Sequence, residues 1–496
     1  MLKLRQILYL ASGGFAVGIV VALSSGVGQL SMKLHTGSTL LIGMIIGVAW
    51  FSGVILPPLA GLLSDNTRTR YGRRIPYLMV FIPLTGIMML LTSFFVGANT
   101  VGVNSAESNQ GYFLEVTNVT STEAGQYAIN MALGSYQNAD IKEMKISLNP
   151  NFKEAEWETY SSSKTLIASS YEEGQPIYAN FRIYTGLAPG WALPLLAIAI
   201  IITTIFYNIW NSVYWALMPD ITIPEERGKA SGAMQAFNIV GAIVAMGASG
   251  ALWDTNPAYA FYLFGFLIIV TGCVTAFGIK ERELVQKKGI DIEQEDKLKF
   301  RELVKDFLGA KEFAKFAFVT GFPWFAMGTF STFFVLYATN YLKLEEGTSL
   351  MLMGGFTIVM VIAAVVLGLL GDKIRNKKRV LCIGLLLGIF SMPAAWFVTE
   401  PIYVYPVMLA AGITFGAITV CNQAIQSDLL PMGKEGELLG VGIIFMSLPM
   451  MLASFIVGAI ITALANDYRV MWLIAPLSLL IALILVQRVN TTPVHK

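Results

Sequence analysis

Charge, histidine and cysteine are what this 496-residue sequence has little of. Asp, Glu, Lys and Arg make up 13% of it, against 55% hydrophobic residues, about half the charge of a soluble globular domain. That excludes an ordinary soluble fold. Two His (His35, His495) and three Cys (Cys273, Cys382, Cys421) are too few for a metal centre, and each Cys lies in an apolar run, the place of a small buried hydrophobe. The chain shows no Ser/His/Asp set, no metal-ligand spacing and no Walker-type glycine loop, so neither an enzyme nor an ATP-driven pump is expected, and no cofactor. Lys plus Arg (34) nearly balances Asp plus Glu (32), which leaves no electrostatic footprint for nucleic acid.

What is there is a series of long runs without charge. Twelve of them, near 7–30, 40–63, 77–97, 191–218, 233–252, 260–279, 317–339, 350–371, 380–399, 403–426, 439–464 and 471–488, have the length that a bilayer crossing requires. Each is expected to be helical, because hydrocarbon offers no partner to a free backbone amide. With the N-terminus inside, the inner segments and the tail hold 26 of the 34 Lys and Arg, so both termini are expected in the cytoplasm, with the cell membrane as the host bilayer.

Two stretches are not membrane. Residues 98–190 are polar and hold strand-like runs (Tyr112–Val116, Ile177–Arg182), which reads as a small β-rich insertion outside the membrane. Within it, Asn118-Val-Thr120 has the form of a glycosylation acceptor. Residues 280–316 interleave both charge signs with apolar residues and suit an amphipathic cytoplasmic linker. The predicted organisation is an all-α membrane protein: a six-helix bundle over 1–279 carrying the insertion, the linker, and a second six-helix bundle over 317–496.

An internal repeat supports the division. Gly61-Leu-Leu-Ser-Asp65 returns as Gly368-Leu-Leu-Gly-Asp372, each before a basic cluster, and Ala216-Leu-Met-Pro-Asp220 has a counterpart in Ala424-Ile-Gln-Ser-Asp428. With Arg68, Arg70, Arg73 and Arg74 after Asp65, this pattern resembles the major facilitator superfamily, and in its longer form, Pro58 to Pro76, the glycoside-pentoside-hexuronide:cation symporters and sucrose-type sugar transporters. Pro219-Asp220 through Glu226-Arg227-Gly228-Lys229 is similar to their loop after helix 4. The resemblance implies two rocking bundles around a central cavity. It also implies gate roles for Gly61, Asp65, Arg68, Arg70, Arg73, Arg74, Asp220, Arg227, Asp372 and Asp428, with Gly61 and Gly368 permitting close helix approach; merely fixing topology is the alternative role for the arginines.

The sequence departs from that family where cation coupling is concerned. The carboxylate positions of its melibiose-type members fall on Gly53, Pro57 and Asn211, with a further one near Gly14, and the sugar-binding Arg falls near Gln235. No charged residue occupies the centre of any span, so coupling is in doubt and a cation stays open as a second cargo. Neutral groups suited to a hydroxyl-bearing solute do occur at mid-span. Asn208, Asn211 and Trp215 share one helix face, as do Gln235 and Asn238; Trp50, Trp324 and Asn422 extend the set. Asn211, Trp215, Gln235, Asn238, Trp324 and Asn422 are the candidate substrate contacts, with Trp215 matching the aromatic that stacks on sugar in the family. The expectation is a monomeric transporter in the lipid bilayer moving a small neutral solute, a sugar or glycoside, by alternating access. A cation-coupled symporter, a carrier of lipid-like amphipaths and a receptor using the outer domain are the alternatives.

Overall fold

The computed structural model describes residues 3–96, 98–105, 112–121, 126–135, 141–148, 155, 158–172, 175–184, 191–253, 255–287, 307–374, 376–429 and 435–491. Twelve helices long and apolar enough to cross a membrane run through them, one for each predicted span. They are α1 (Leu4–Lys33), α2 (Thr39–Asn66), α3 (Ile75–Val96), α4 (Ala192–Ile221), α5 (Pro224–Trp253) and α6 (Pro257–Gly278). The second six are α7 (Lys311–Asn340), α8 (Glu346–Ile374), α9 (Lys377–Ser391), α10 (Val404–Leu429), α11 (Glu435–Ala463) and α12 (Met471–Val486). Local sequence sets the starts. Ser38 accepts from the Leu41 amide ahead of α2, Asn256 from Ala258 ahead of α6, and Asn376 from Arg379 ahead of α9, each a side-chain cap for an otherwise orphaned amide.

α1 is not continuous. A wide turn over Leu23–Val27 takes Ser25 and Gly26 out of helical geometry, with Gly26 at φ +146°, a conformation open to glycine. A Cβ there would sit 2.7 Å from Val335 Cγ2 of α7, so the bend also lets the two helices touch. Gln29 Nε2 donates to the Ser24 carbonyl (2.8 Å) that the break releases, and to Ser331 O on α7 (3.3 Å).

Between α3 and α4 the chain folds as two antiparallel sheets. Strands β1 (Ala98–Asn104), β2 (Tyr112–Ser121), β3 (Tyr127–Ser135), β4 (Ile141–Ser147), β5 (Glu158–Thr159), β6 (Ser163–Ala168) and β7 (Tyr178–Tyr184) form a four-stranded sheet, β1-β7-β4-β5, and a three-stranded one, β2-β3-β6. Leu114, Ile129, Met131, Leu133, Met144 and Phe181 close a separate apolar core there. Both strand-like runs in the sequence are strands. A short helix, Glu281–Lys287, opens the linker; residues 288–306 of the predicted linker lie outside the described residues.

The helices of each half pack on one another, α1 on α5 and α3 on α6 in the first, α8 on α10 and α7 on α12 in the second. Contacts between the halves run along α2 with α11 and α5 with α8. Because α3 delivers the chain to the β domain and α4 collects it, one end of the helices carries that domain and the opposite end carries both termini.

Candidate functional site

Among the described residues, the two halves meet toward the β-domain end. Gly43 on α2 is closed against the Ser454 carbonyl of α11, where a Cβ would come within 2.5 Å. Gly61 lies eighteen residues on, five turns, and so on the same face, and among the described residues nothing lies within 4 Å of its Cβ position. α5 repeats the pattern. Met246 abuts Gly354 of α8, and Gly250 abuts Met351 and the Gly347 carbonyl. Gln235 precedes Met246 by eleven residues on that face and is exposed, and Gly228 and Gly232 have open space at their Cβ positions. Among the described residues, then, contact between the halves is found toward the β-domain end and not toward the termini end. The α11 segment that the register sets opposite Gly61, residues 430–440, lies outside the described residues or has its side chains outside them, so the expected close approach there falls on that stretch. Gly368 does approach a neighbour, Val420 on α10, but within its own half.

Helix α4 carries the first half's candidate contacts between two packed flanks. Tyr214 Oη donates to the Leu10 carbonyl of α1 (2.8 Å), and Asn208 Nδ2 donates to Ser52 Oγ of α2 (2.7 Å). At 100° per residue, Asn211 lies about 60° from each of these, in the sector between the two packed flanks. Trp215, one turn further, donates its Nε1 to Asn211 Oδ1 (3.0 Å). Both are half-buried. Asn238 on α5 is half-buried on the side facing α1, where its carbonyl packs on Gly18. From the second half, Trp324 shares a stripe of α7 with Ser331 and Val335, which touch α1 nearer the β domain; its own Nε1 is buried without a hydrogen-bond partner, as is that of Trp50 on α2.

Asn422 is not brought to this set. It is buried inside the second half, beside Phe316, Thr320, Pro323, Leu381 and Ile418, and its Oδ1 accepts from Gln426 Nε2 (3.4 Å). Its helical spacing is that of a lining residue, but the helix is rotated so that this face meets α7, α9 and α12.

At the termini end the basic loop after α2 is bound within its own half. Arg74 pairs with Asp65 (2.6 Å) and Asp220 (3.0 Å) and donates to Ser64 Oγ (2.6 Å). Arg73 pairs with Asp220 (2.9 Å). The second half has the counterpart that the repeat foretells, Lys377 to Asp428 at 2.7 Å. Arg68 donates to the Asp65 carbonyl, Arg70 covers the Tyr71 ring and Arg227 is exposed, so these three stand apart from the paired group. The side chain of Asp372 lies outside the described residues.

Glu281 is a residue that the sequence alone did not single out. Fully buried, its carboxylate accepts the amides of Arg73, Arg74 and Ile75 at 2.9–3.1 Å, capping the start of α3 from the segment after α6. Gly72, at φ +122°, makes room, since a Cβ there would fall on that carboxylate. Burial pushes the Glu281 carboxyl above its usual range, the three amides pull it back, and the Asp220 charge adds a smaller rise. The second half ties the matching helices with opposite polarity: Lys378, at the start of α9, donates to the carbonyls of Gln487 (3.2 Å) and Val489 (2.9 Å) past α12.

Twelve membrane-length helices in two six-helix halves, packed on each other through α2 with α11 and α5 with α8, are the architecture of a membrane transporter. The chain belongs to the Major Facilitator Superfamily, whose family model matches residues 181–454 and 317–496. A second model, described as MFS/sugar transport protein, matches residues 36–114. Among solved structures, the chain is similar to a D-xylose-proton symporter (13% identity, 96% of each chain, TM-score 0.61) and to a nucleoside transporter (10% identity, 97% of this chain and 99% of that one, TM-score 0.61). It is likewise similar to a bacterial homologue of the iron transporter ferroportin (14% identity, 98% and 99%, TM-score 0.57). At such identities the likeness is one of fold. No curated protein matches the sequence. The family marks an integral membrane transporter rather than an enzyme.

Proposed function

We propose that the chain carries a small neutral solute bearing hydroxyl groups, a sugar or glycoside, between the two halves by alternating access, as the sucrose-type and glycoside transporters that it resembles do. The observation that carries this reading is the α4 sector. Asn211 and Trp215 offer an amide and an indole face between two packed flanks, and the neighbouring candidates Gln235, Asn238 and Trp324 are likewise uncharged. An indole stacks on the C–H face of a sugar while amides pair its hydroxyls. The match of residues 36–114 to a sugar-transport model supports the same class. In this reading the protein is a monomer of the cell membrane with its termini in the cytoplasm and its β domain outside, and residues 1–279 and 317–496 are the rocking units. Without an ionisable side chain among the candidate contacts, transport runs down the solute gradient.

The test is uptake in proteoliposomes across a panel of sugars, glycosides, nucleosides and lysolipids, with and without sodium and proton gradients. Saturable equilibration of a sugar is the expected result. Uptake confined to lysolipids overturns the substrate class, and accumulation against a gradient overturns uncoupled transport.

A further inference from the structure

The first residue of α8, Glu346, joins the halves at the β-domain end. It belongs to the second half but is 9% exposed and held by two helices of the first. Trp253, the last residue of α5, donates its indole Nε1 to Glu346 Oε2 at 2.8 Å, and Lys33, the last residue of α1, places Nζ 3.6 Å from Oε1. The indole is 1% exposed, so its N–H has no water to turn to in this arrangement. Among the described ion pairs, those of Arg73, Arg74, Lys377 and Arg469 each stay within one half. Beside Glu346 the closure is made by neutral groups: Thr39 Oγ1 at 2.6 Å from Tyr468 Oη, and the Gly250 contact with α8.

We propose that Glu346, with Trp253 and Lys33, is the latch that holds the β-domain end shut and must release in every transport cycle. The inference rests on the alternating-access reading. When the halves part at this end, the neutral contacts exchange one weak partner for water. Glu346 instead gives up a charge-assisted bond from a buried indole and an ammonium partner, so it sets most of the bias between the two states. It acts on the solute path through helix position, not by touching solute.

Leu350 reports on the latch. It is fully buried on α8, one turn after Glu346, and its Cδ2 lies 3.3 Å from the Cβ position of Gly26 on α1 of the other half, so Leu350→Cys sets a thiol in the seam between the halves. In a background of Cys273→Ala and Cys382→Ala, the native Cys421, buried inside the second half, serves as the internal control. Purified full-length protein in proteoliposomes is exposed to a membrane-impermeant maleimide, and labelling at each cysteine is quantified by peptide mass spectrometry. Glu346→Gln, Lys33→Gln and Trp253→Phe are each expected to speed labelling at position 350, Glu346→Gln by roughly tenfold, with Cys421 unchanged. Unchanged labelling at position 350 in all three variants, or a rise that Cys421 follows in step, overturns the latch. Because no solute is added, failure of the substrate assignment leaves this measurement intact.

Discussion

Trp215 donates its indole N–H to Asn211 Oδ1, one turn earlier on α4, at 3.0 Å. The pair fixes the ring and uses up its only donor. What Trp215 then has to offer a solute is its face, while Asn211 keeps its amide N–H groups for hydroxyl oxygens.

Stacking and hydrogen bonding should therefore separate by mutation. Trp215→Phe keeps an aromatic face and is expected to raise KM for uptake only two- to fivefold, whereas Trp215→Ala should lose about 1.5 kcal/mol of binding, roughly tenfold. Asn211→Ala frees the indole as well as removing the amide and should cost at least as much. Equal KM values for Trp215→Phe and Trp215→Ala would remove the ring from the binding surface.

Ion pairs at the termini end differ in depth, and their loss should differ likewise. Asp220 takes two arginines with its side chain 13% exposed, so Asp220→Asn leaves buried guanidinium charge and should destabilise the protein by about 3 kcal/mol. Lys377 and Asp428 are 30% and 25% exposed, and Asp428→Asn should cost about 1 kcal/mol or less. Thermal unfolding in detergent measures both, and a larger effect at Asp428 would contradict the ordering.

His35, in the connection between α1 and α2, has Nε2 at 2.8 Å from the Phe95 carbonyl, which requires the proton on that nitrogen. Burial depresses its basicity below the ordinary value of 6.5, and the carbonyl only partly restores it. The folded protein therefore holds fewer protons than the unfolded chain below that value. Its stabilising contribution is complete above pH 6.5 and is lost as pH falls from there through the lower folded value. The melting temperature of wild type should drop across that window relative to His35→Gln; parallel curves would show that the ring does not titrate with folding.

Sidedness has its own reporter. Asn118 and Thr120 are exposed on β2, and a second acceptor triplet, Asn490-Thr491-Thr492, lies beyond α12. Expressed in a eukaryotic secretory pathway, the protein should gain one glycan that Asn118→Gln abolishes and Asn490→Gln leaves in place. Modification at Asn490 instead would invert the orientation.

The fold was legible because its signals are of low order: run length for the helices, alternation between turns for the strands, and spacing within the Gly61–Asp65 and Gly368–Asp372 repeat. The repeat also matched Asp428 to Asp220, and each of the two carries a basic partner, Lys377 and the Arg73–Arg74 pair. Helical spacing placed Asn211 and Trp215 together but could not say which way α10 is rotated, and Asn422 went into the bundle interior. Glu281 was missed because Lys280-Glu281-Arg282-Glu283 reads as a solvated charge run. A signal was nevertheless present: Arg73-Arg74-Ile75-Pro76 supplies no capping side chain for α3, so an acceptor had to come from elsewhere. Glu346 and Trp253 are 93 residues apart in different halves, and no local pattern links them.

Strand β1 starts at Ala98, two residues on from the last residue of α3, Val96, and pairs along its whole length with β7, from Ala98–Tyr184 to Asn104–Tyr178. The two strands that enter and leave the domain are thus held to each other, and the chain returns from them to the same half. The β domain is an outrigger of one half alone, and a fluorophore or a bound antibody on it would ride with that half whenever it moves against the other.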